Sequence, residues 1–291
     1  MLSEYVEILN RISSIKNMYA FVTERFKEDP DYAVLLAEEI YGIKIDEDVN
    51  TFTAATVKQD FPTRLLLANL IAERAILAKM GNYMHLTVSI VGMAGSGKTT
   101  YSIASAIGAY MILGHTRDEA TKLAEENIFF DPKQFVDTVR ERIRERIWTP
   151  VMIFDDVGAQ ISKYWHWIGQ KYWIHLFSLL DQVKEFIGVL VLTARNFHSI
   201  PARLRELSDL IAEARIGTVG SRGPVLNILQ FYRYDDYLST RRRRENLLFI
   251  DVMLPSIRMP QSIWEKMIEV RKETAEKRLR KLRKEMREKE K

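Results

Sequence analysis

Apolar positions recur at helical spacing through Tyr5, Ile8, Leu9, Ile12, Ile15, Met18, Phe21 and Val22, and predict an amphipathic helix over residues 2–26. Asp29-Pro30-Asp31 breaks it and opens a short helix over 33–41, which Gly42 ends. Residues 43–61 are polar and irregular. Phe61-Pro62-Thr63 then starts a strong helix that runs to Met80 and stops at Gly81-Asn82. Beyond residue 85 the period changes. Short apolar runs at 86–91, 151–154, 188–193 and 209–216 alternate with helical stretches at 99–113, 117–127, 131–147 and 177–186. That alternation predicts a parallel sheet covered on both faces. Residues 225–234 and 247–254 read as two more strands. A helix begins at Gln261, and its apolar face (Ile263, Trp264, Met267, Ile268) gives out at Arg271.

These patterns divide the chain into a helical region at 1–84, an α/β core at 85–218, a β-hairpin extension at 219–258 and a basic helix at 259–291. The helical region reads as a layer packed on the core; a small adaptor or DNA-binding domain is the alternative, without a helix-turn-helix signature to support it. With 47% hydrophobic residues, the chain can bury a sizeable core. No apolar run approaches the ~18 residues of a membrane span, and the N-terminus carries acids early, so the expectation is a cytoplasmic protein. Cysteine is absent, which excludes disulfides, thiol catalysis and cysteine-based metal sites. The net charge is +4, yet residues 271–291 hold eleven Lys/Arg against five Glu, a local +6. The rest of the chain is therefore about −2, and the basic character belongs to the tail and to Arg241–Arg244.

The chemistry is concentrated after the first core strand. Gly92-Met93-Ala94-Gly95-Ser96-Gly97-Lys98-Thr99, followed by Thr100, is G-x-x-x-x-G-K-T between a strand and a helix. Glycines let the backbone curl its N–H groups around a phosphate, and the new helix adds its positive end. Lys98 can reach the β- and γ-phosphates of ATP, and the Thr99 hydroxyl can ligate Mg²⁺. About 56 residues on, the run Val151-Met152-Ile153-Phe154 ends in Asp155-Asp156, the Walker B pattern. A buried strand would carry Asp155 to the Mg²⁺ shell, and Asp156 could orient and deprotonate water. Arg203 or Arg205 could be an arginine finger offered to a neighbouring subunit, or a plain surface arginine. Trp165, Trp167 and Trp173 lie among Lys163, Tyr164, Lys171 and Tyr172. Such a segment can stack on bases, or pack a core or subunit interface. His166 and His175 have no acid pattern nearby and do not suggest a metal site.

The loop at Gly92–Thr99, Phe154-Asp155-Asp156 and the segment from Thr193-Ala194-Arg195-Asn196 to Ile200-Pro201-Ala202-Arg203-Leu204-Arg205 together resemble the P-loop ATPases with an extra strand between Walker A and Walker B. These include AAA+ proteins such as the helicase loaders of bacteria and phages, and FtsK–HerA-type DNA motors; similar proteins occur on archaeal plasmids and viruses. The resemblance covers about residues 85–216. It implies that the strand after Walker B ends in a polar sensor for the γ-phosphate or the water, for which Thr193 and Asn196 are candidates. Many relatives carry Glu where this chain has Asp156. An AAA+ core would continue into a helical lid, whereas this chain continues into strands.

The expectation is thus an α/β, three-layer P-loop NTPase with a helical N-terminal region, a C-terminal β-hairpin and a basic helix. Its reaction would be Mg²⁺-dependent ATP hydrolysis, used on nucleic acid by a homo-oligomer without membrane insertion. The basic tail and Arg241–Arg244 would be the nucleic-acid contacts. Two other readings are an ATP-dependent assembly switch with slow turnover and a small-molecule kinase, for which the sequence shows no second substrate constellation.

Overall fold

The computed structural model describes residues 2–42, 60–158, 184–218, 225–239, 245–255 and 257–289. The aromatic segment at 159–177 and Arg241–Arg244 lie outside the described residues. Strands β1 (Leu86–Gly92), β2 (Ile128–Phe129), β3 (Thr149–Phe154), β4 (Ile187–Ala194), β5 (Leu210–Thr218), β6 (Val225–Arg233) and β7 (Phe249–Met253) form one sheet. Their order is β2-β3-β4-β1-β5-β6-β7. The first five are parallel; β6 and β7 are antiparallel to their neighbours. Strand β4 thus lies between β1, which leads into the phosphate loop, and β3, which leads into Asp155-Asp156. All eight residues of β4 are buried, as the near-continuous apolar run of a two-sided parallel strand requires.

Three features add to or differ from the sequence pattern. The two C-terminal strands pair as the expected hairpin, and β6 also pairs with β5 over nine residues, so the hairpin extends the same sheet. Strand β2 is only two residues long, too short to leave a periodic signal. Residues 184–186 form a turn rather than the end of a helix, because the Phe186 carbonyl accepts from Thr149 N (2.8 Å) and is held at the sheet edge.

Helices α1 (Leu2–Glu28), α2 (Tyr32–Tyr41), α3 (Leu66–Lys79) and α4 (Lys98–Ile112) pack together on one face. α3 is apolar nearly all round and lies between α1, α4 and the sheet. Side chains alternate along β6 and mark the two faces. Phe231 meets Tyr101 of α4, whereas Tyr232 meets Tyr237 of the short helix Tyr234–Leu238. Tyr237 and Tyr234 in turn pack against Phe197, so helical and aromatic material covers both faces and the fold has three layers. The other core helices are α5 (Arg117–Glu126), opened by a Thr116–Glu119 capping box, and α6 (Pro132–Glu145), capped by Asp131.

The N-terminal helices do more than cover the sheet. β7 is an edge strand, and its outward backbone groups need partners. Thr23 of α1 accepts from Ile250 N (2.9 Å); Tyr41 of α2 donates to the Val252 carbonyl (3.1 Å) and accepts from Leu254 N (3.3 Å). Beside them Asp251 is fully buried. Its Oδ1 accepts from the Tyr19 hydroxyl (2.9 Å) and Val252 N (2.8 Å), and its Oδ2 from the Tyr101 hydroxyl (2.6 Å) and Leu66 N (2.8 Å). One carboxyl therefore joins α1, the start of α3, α4 and β7. Residues 2–258 belong to one compact unit; Met259–Lys291 is a second, consisting mainly of the helix Gln261–Lys289.

Candidate functional site

The phosphate loop joins β1 to α4 at the C-terminal edge of the parallel strands, where ligands of open α/β sheets bind. Its conformation depends on two glycines. A Cβ at Gly92 would collide with the Ala214 carbonyl oxygen of β5, so the strand can turn there only without a side chain. Gly97 has φ 80° and caps α4. A Cβ on it would come within 2.5 Å of Met253 Cε and 2.8 Å of Asn227 Nδ2. The loop therefore rests directly on β6 and β7.

Lys98 begins α4, and its ammonium reaches back across the loop. Nζ donates to the carbonyls of Gly92 (2.6 Å) and Met93 (2.8 Å) and lies 3.4 Å from Ser96 Oγ. Met93 is exposed at the loop tip, and Ala94 and Gly95 beside it are exposed as well, whereas Ser96 is buried. A positive charge thus stands among the loop residues expected to cradle phosphate. Thr100 follows in the first turn of α4.

Two strands bring the remaining polar groups to the same place. Asp155 is buried just past β3, and Thr193 is buried near the end of β4. Asp155 Oδ1 accepts from both the Thr99 hydroxyl (2.7 Å) and the Thr193 hydroxyl (2.7 Å). The Asp156 backbone N–H donates to Thr193 Oγ1 (2.8 Å). Asp156 itself is half-buried with φ 49°, a left-handed conformation that Asp tolerates better than most residues. The turn after it packs closely on the next segment: a Cβ at Gly158 would lie 2.5 Å from Ser199 Oγ. Thr99 and Asp155 offer hard oxygen donors side by side, a donor set that fits Mg²⁺. Among the described residues no cluster of three or more His, Asp or Glu could hold a metal.

The other candidates lie farther along. Asn196 is exposed, and its Oδ1 accepts from Ser199 N (2.8 Å), capping the turn Phe197–Ser199. Arg203 pairs with Glu206 (3.6 Å). Arg205 lies 3.1 Å from His198 Nδ1, with its guanidinium 5.8 Å from the centre of the Phe197 ring. Lys98, Thr99, Asp155, Asp156 and Thr193 therefore converge, while Asn196, Arg203 and Arg205 make local contacts on the segment beyond β4. Three residues with a place at this site were not singled out by the sequence. Asn227, Met253 and, through Tyr101, Asp251 support the loop from the far strands. A lone Asp within an otherwise apolar strand was the one visible hint.

No family model matches the chain. Over 118 residues, 40% of its length, it is 29% identical to the uncharacterized protein B-251 of Sulfolobus spindle-shape virus 1, spanning 46% of that protein. The match thus covers less than half of that relative. The chain is also similar to the crystal structure of flagellar accessory protein FlaH from Methanocaldococcus jannaschii, at 14% identity and a TM-score of 0.34, over 62% of this chain and 95% of that one. Among the described residues no helix is long and apolar enough to cross a membrane.

Proposed function

We propose that the chain is a Mg²⁺-dependent ATPase that couples hydrolysis to the movement, loading or remodelling of nucleic acid, acting as a homo-oligomer. One observation carries the ATPase reading: the hydroxyls of Thr99 and Thr193 meet on Asp155 Oδ1, each at 2.7 Å, beside the Lys98 loop. A metal-ligating pair, a phosphate cradle and a polar group from the intervening strand are the parts that phosphoryl transfer needs. In this reading Lys98 neutralises charge on the transferring phosphate, and Thr99 and Asp155 hold Mg²⁺, which supplies further charge neutralisation. Thr193 fixes the Asp155 carboxylate and the Asp156 backbone, and Asp156 positions and deprotonates water. The strand order β3-β4-β1 supports the resemblance to ATPases with an inserted strand. After β5 come β6 and β7 with only a five-residue helix described between them, which favours a lidless motor over an AAA+ protein. The +6 of residues 271–291 is the proposed nucleic-acid arm.

Measuring ATP turnover with and without single- and double-stranded DNA, with molecular mass in both nucleotide states, tests this function. Stimulated turnover by an assembled particle is expected; turnover that DNA does not change would remove the nucleic-acid reading. Asp156 gives the slow assembly switch its support, because a short carboxylate in a left-handed turn replaces the Glu of many relatives. Asp156→Asn separates the two readings. It is expected to slow turnover by about 10²- to 10⁴-fold, the usual worth of a general base, with little change in ATP affinity. If affinity falls and turnover per bound ATP does not, Asp156 belongs to the metal shell instead.

The arginine assignment is open to a mixing experiment. Arg205→Ala subunits alone are expected to be inactive only when assembled, because a finger acts on a neighbour's γ-phosphate. Mixed with Lys98→Ala subunits they should regain part of the activity, since each spoils a different half of a shared site. Absence of rescue at every ratio, for Arg205→Ala and for Arg203→Ala, would leave both arginines as surface residues.

A further inference from the structure

Because β1, β3 and β4 are parallel and in register, the residues just before them share one edge of the sheet, the edge away from the phosphate loop. β1 has seven residues, so about 20 Å separates the two edges. At this N-terminal edge a cavity of about 630 Å³ opens to solvent. That volume lies within the roughly 300–1,000 Å³ of small-molecule sites. Three of its walls are rings: Tyr83 ahead of β1, Trp148 ahead of β3 and Phe186 ahead of β4. Tyr83 is 63% exposed. Trp148 can lie along the edge because its neighbour is a glycine; a Cβ at Gly188 would come within 2.8 Å of the indole Cζ2.

Two cations stand at this cavity, Arg146 and Lys184, and both are exposed. Among the described lining residues Glu185 is the single acid, against these two cations. Among the described residues neither cation has an ion-pair partner, and both side chains are exposed. His85 is part of the wall and not a ligand. Both ring nitrogens are engaged, one with the Ile187 carbonyl (2.7 Å) and the other with Thr87 Oγ1 (2.8 Å). Burial lowers its pKa below the ordinary value and keeps the ring neutral.

We infer that this cavity binds single-stranded nucleic acid, holding an unstacked base against Tyr83 and Trp148 while flanking phosphates meet Arg146 and Lys184. The inference rests on the nucleic-acid reading above and assigns it a second site on the chain. Flat apolar rings beside cations suit a base with its phosphate, because every base has a face that can stack. An acidic peptide would use the cations and leave the rings without a partner. A duplex keeps its bases stacked and cannot fill a concave site. Strands β1 and β3, which carry the phosphate loop and Asp155 at one end, carry this site at the other.

The test is a titration of the full-length protein with a fluorescent oligothymidylate and with a duplex of equal length, at several salt concentrations. Tyr83→Ala is expected to weaken single-strand binding by about 5- to 140-fold, the value of one lost base stack. Arg146→Asn combined with Lys184→Gln should flatten the salt dependence by about 1.4 in log–log slope, about 0.7 for each lost phosphate. Asn keeps the left-handed φ of 54° at position 146, and all three side chains are exposed, so unchanged melting temperatures are the control for folding. If the wild type binds the strand and these variants bind it equally well with parallel salt plots, the strand lies elsewhere and the site is overturned. A duplex that binds as tightly and loses as much in the same variants overturns it too. A wild type that binds no nucleic acid sinks the proposed function itself, and the site with it.

Discussion

Replacing Lys98 by alanine is expected to lower ATP turnover by at least about a hundredfold, the scale of losing one donor aimed at transition-state charge. The fold should survive. Lys98 opens α4 with its side chain on the loop rather than in the core, and the carbonyls of Gly92 and Met93 that it now contacts lie at the half-exposed mouth of the site. Alanine is also a good helix former, so the first turn of α4 loses nothing in propensity. Phosphate release and nucleotide titration on the purified variant, alongside its melting curve, read the outcome. Near-normal turnover with an unchanged melting temperature would mean that the loop is not the catalytic centre, and the ATPase reading would fall.

The second large effect is expected far from the loop, at Asp251. Asp251→Ala should cost about 3–5 kcal/mol, because it strands the Tyr101 hydroxyl and the Leu66 N–H, both buried donors, opens a cavity, and leaves the Tyr19 hydroxyl only the Arg64 carbonyl. The pH dependence is more diagnostic. Desolvation outweighs the four hydrogen bonds and raises this carboxyl from its ordinary 3.8 to about 6. The folded protein thus binds the proton more tightly than the unfolded chain. The stability this adds is complete below about pH 4 and is lost as pH rises through about 6. A shift of that size corresponds to roughly 3 kcal/mol. Protonated Asp251 has a use for its proton: it can donate to Tyr19, whose hydroxyl also lies 3.0 Å from the Arg64 carbonyl. The facing groups, Tyr19, Tyr41 and Tyr101, all have pKa values raised by burial and stay neutral throughout. Denaturant unfolding at pH 4 and pH 7 should therefore show wild type losing more stability than Asp251→Asn over that interval. Equal losses would mean that Asp251 does not hold a proton in the folded protein.

Legibility followed the distance over which each feature is determined. The phosphate loop was readable because its glycines, Lys98 and Thr99 act within eight consecutive residues. Strands β1, β3 and β4 were readable because burial on both faces demands unbroken apolar runs. Strand β2 was not, since two residues carry no period. The joining of β6 to β5 was not either, because a hairpin standing alone and one continuing a sheet have the same alternation. Asp251 shows the limit most clearly. Its partners Tyr19 and Tyr101 are 232 and 150 positions away, and nothing in the local run Leu247–Leu254 names them. The edge partners of β7 are likewise side chains of helices, Thr23 and Tyr41, whose own periodicity marks them only as core positions. At the site, the meeting of Thr99 and Thr193 on Asp155 follows from the strand order β3-β4-β1, a fact of topology and not of spacing.

The support of the phosphate loop by β6 and β7 has a consequence for synthesis. A ribosome makes Tyr101 150 residues before Asp251. At about 5–20 residues per second, α4 is made about 8–30 s before the carboxyl that holds it. During that interval the nascent chain displays the complete phosphate-binding motif while Tyr101, Gly97, Tyr19 and Thr23 of α1 and the Leu66 N–H at the start of α3 lack their partners in β6 and β7. Translation pauses before residue 251 would lengthen the life of such a chain, and chaperones or proteases would meet a loop that still lacks the strands beneath it. The motif is thus complete in the chain well before the two strands against which Gly97 rests have been made.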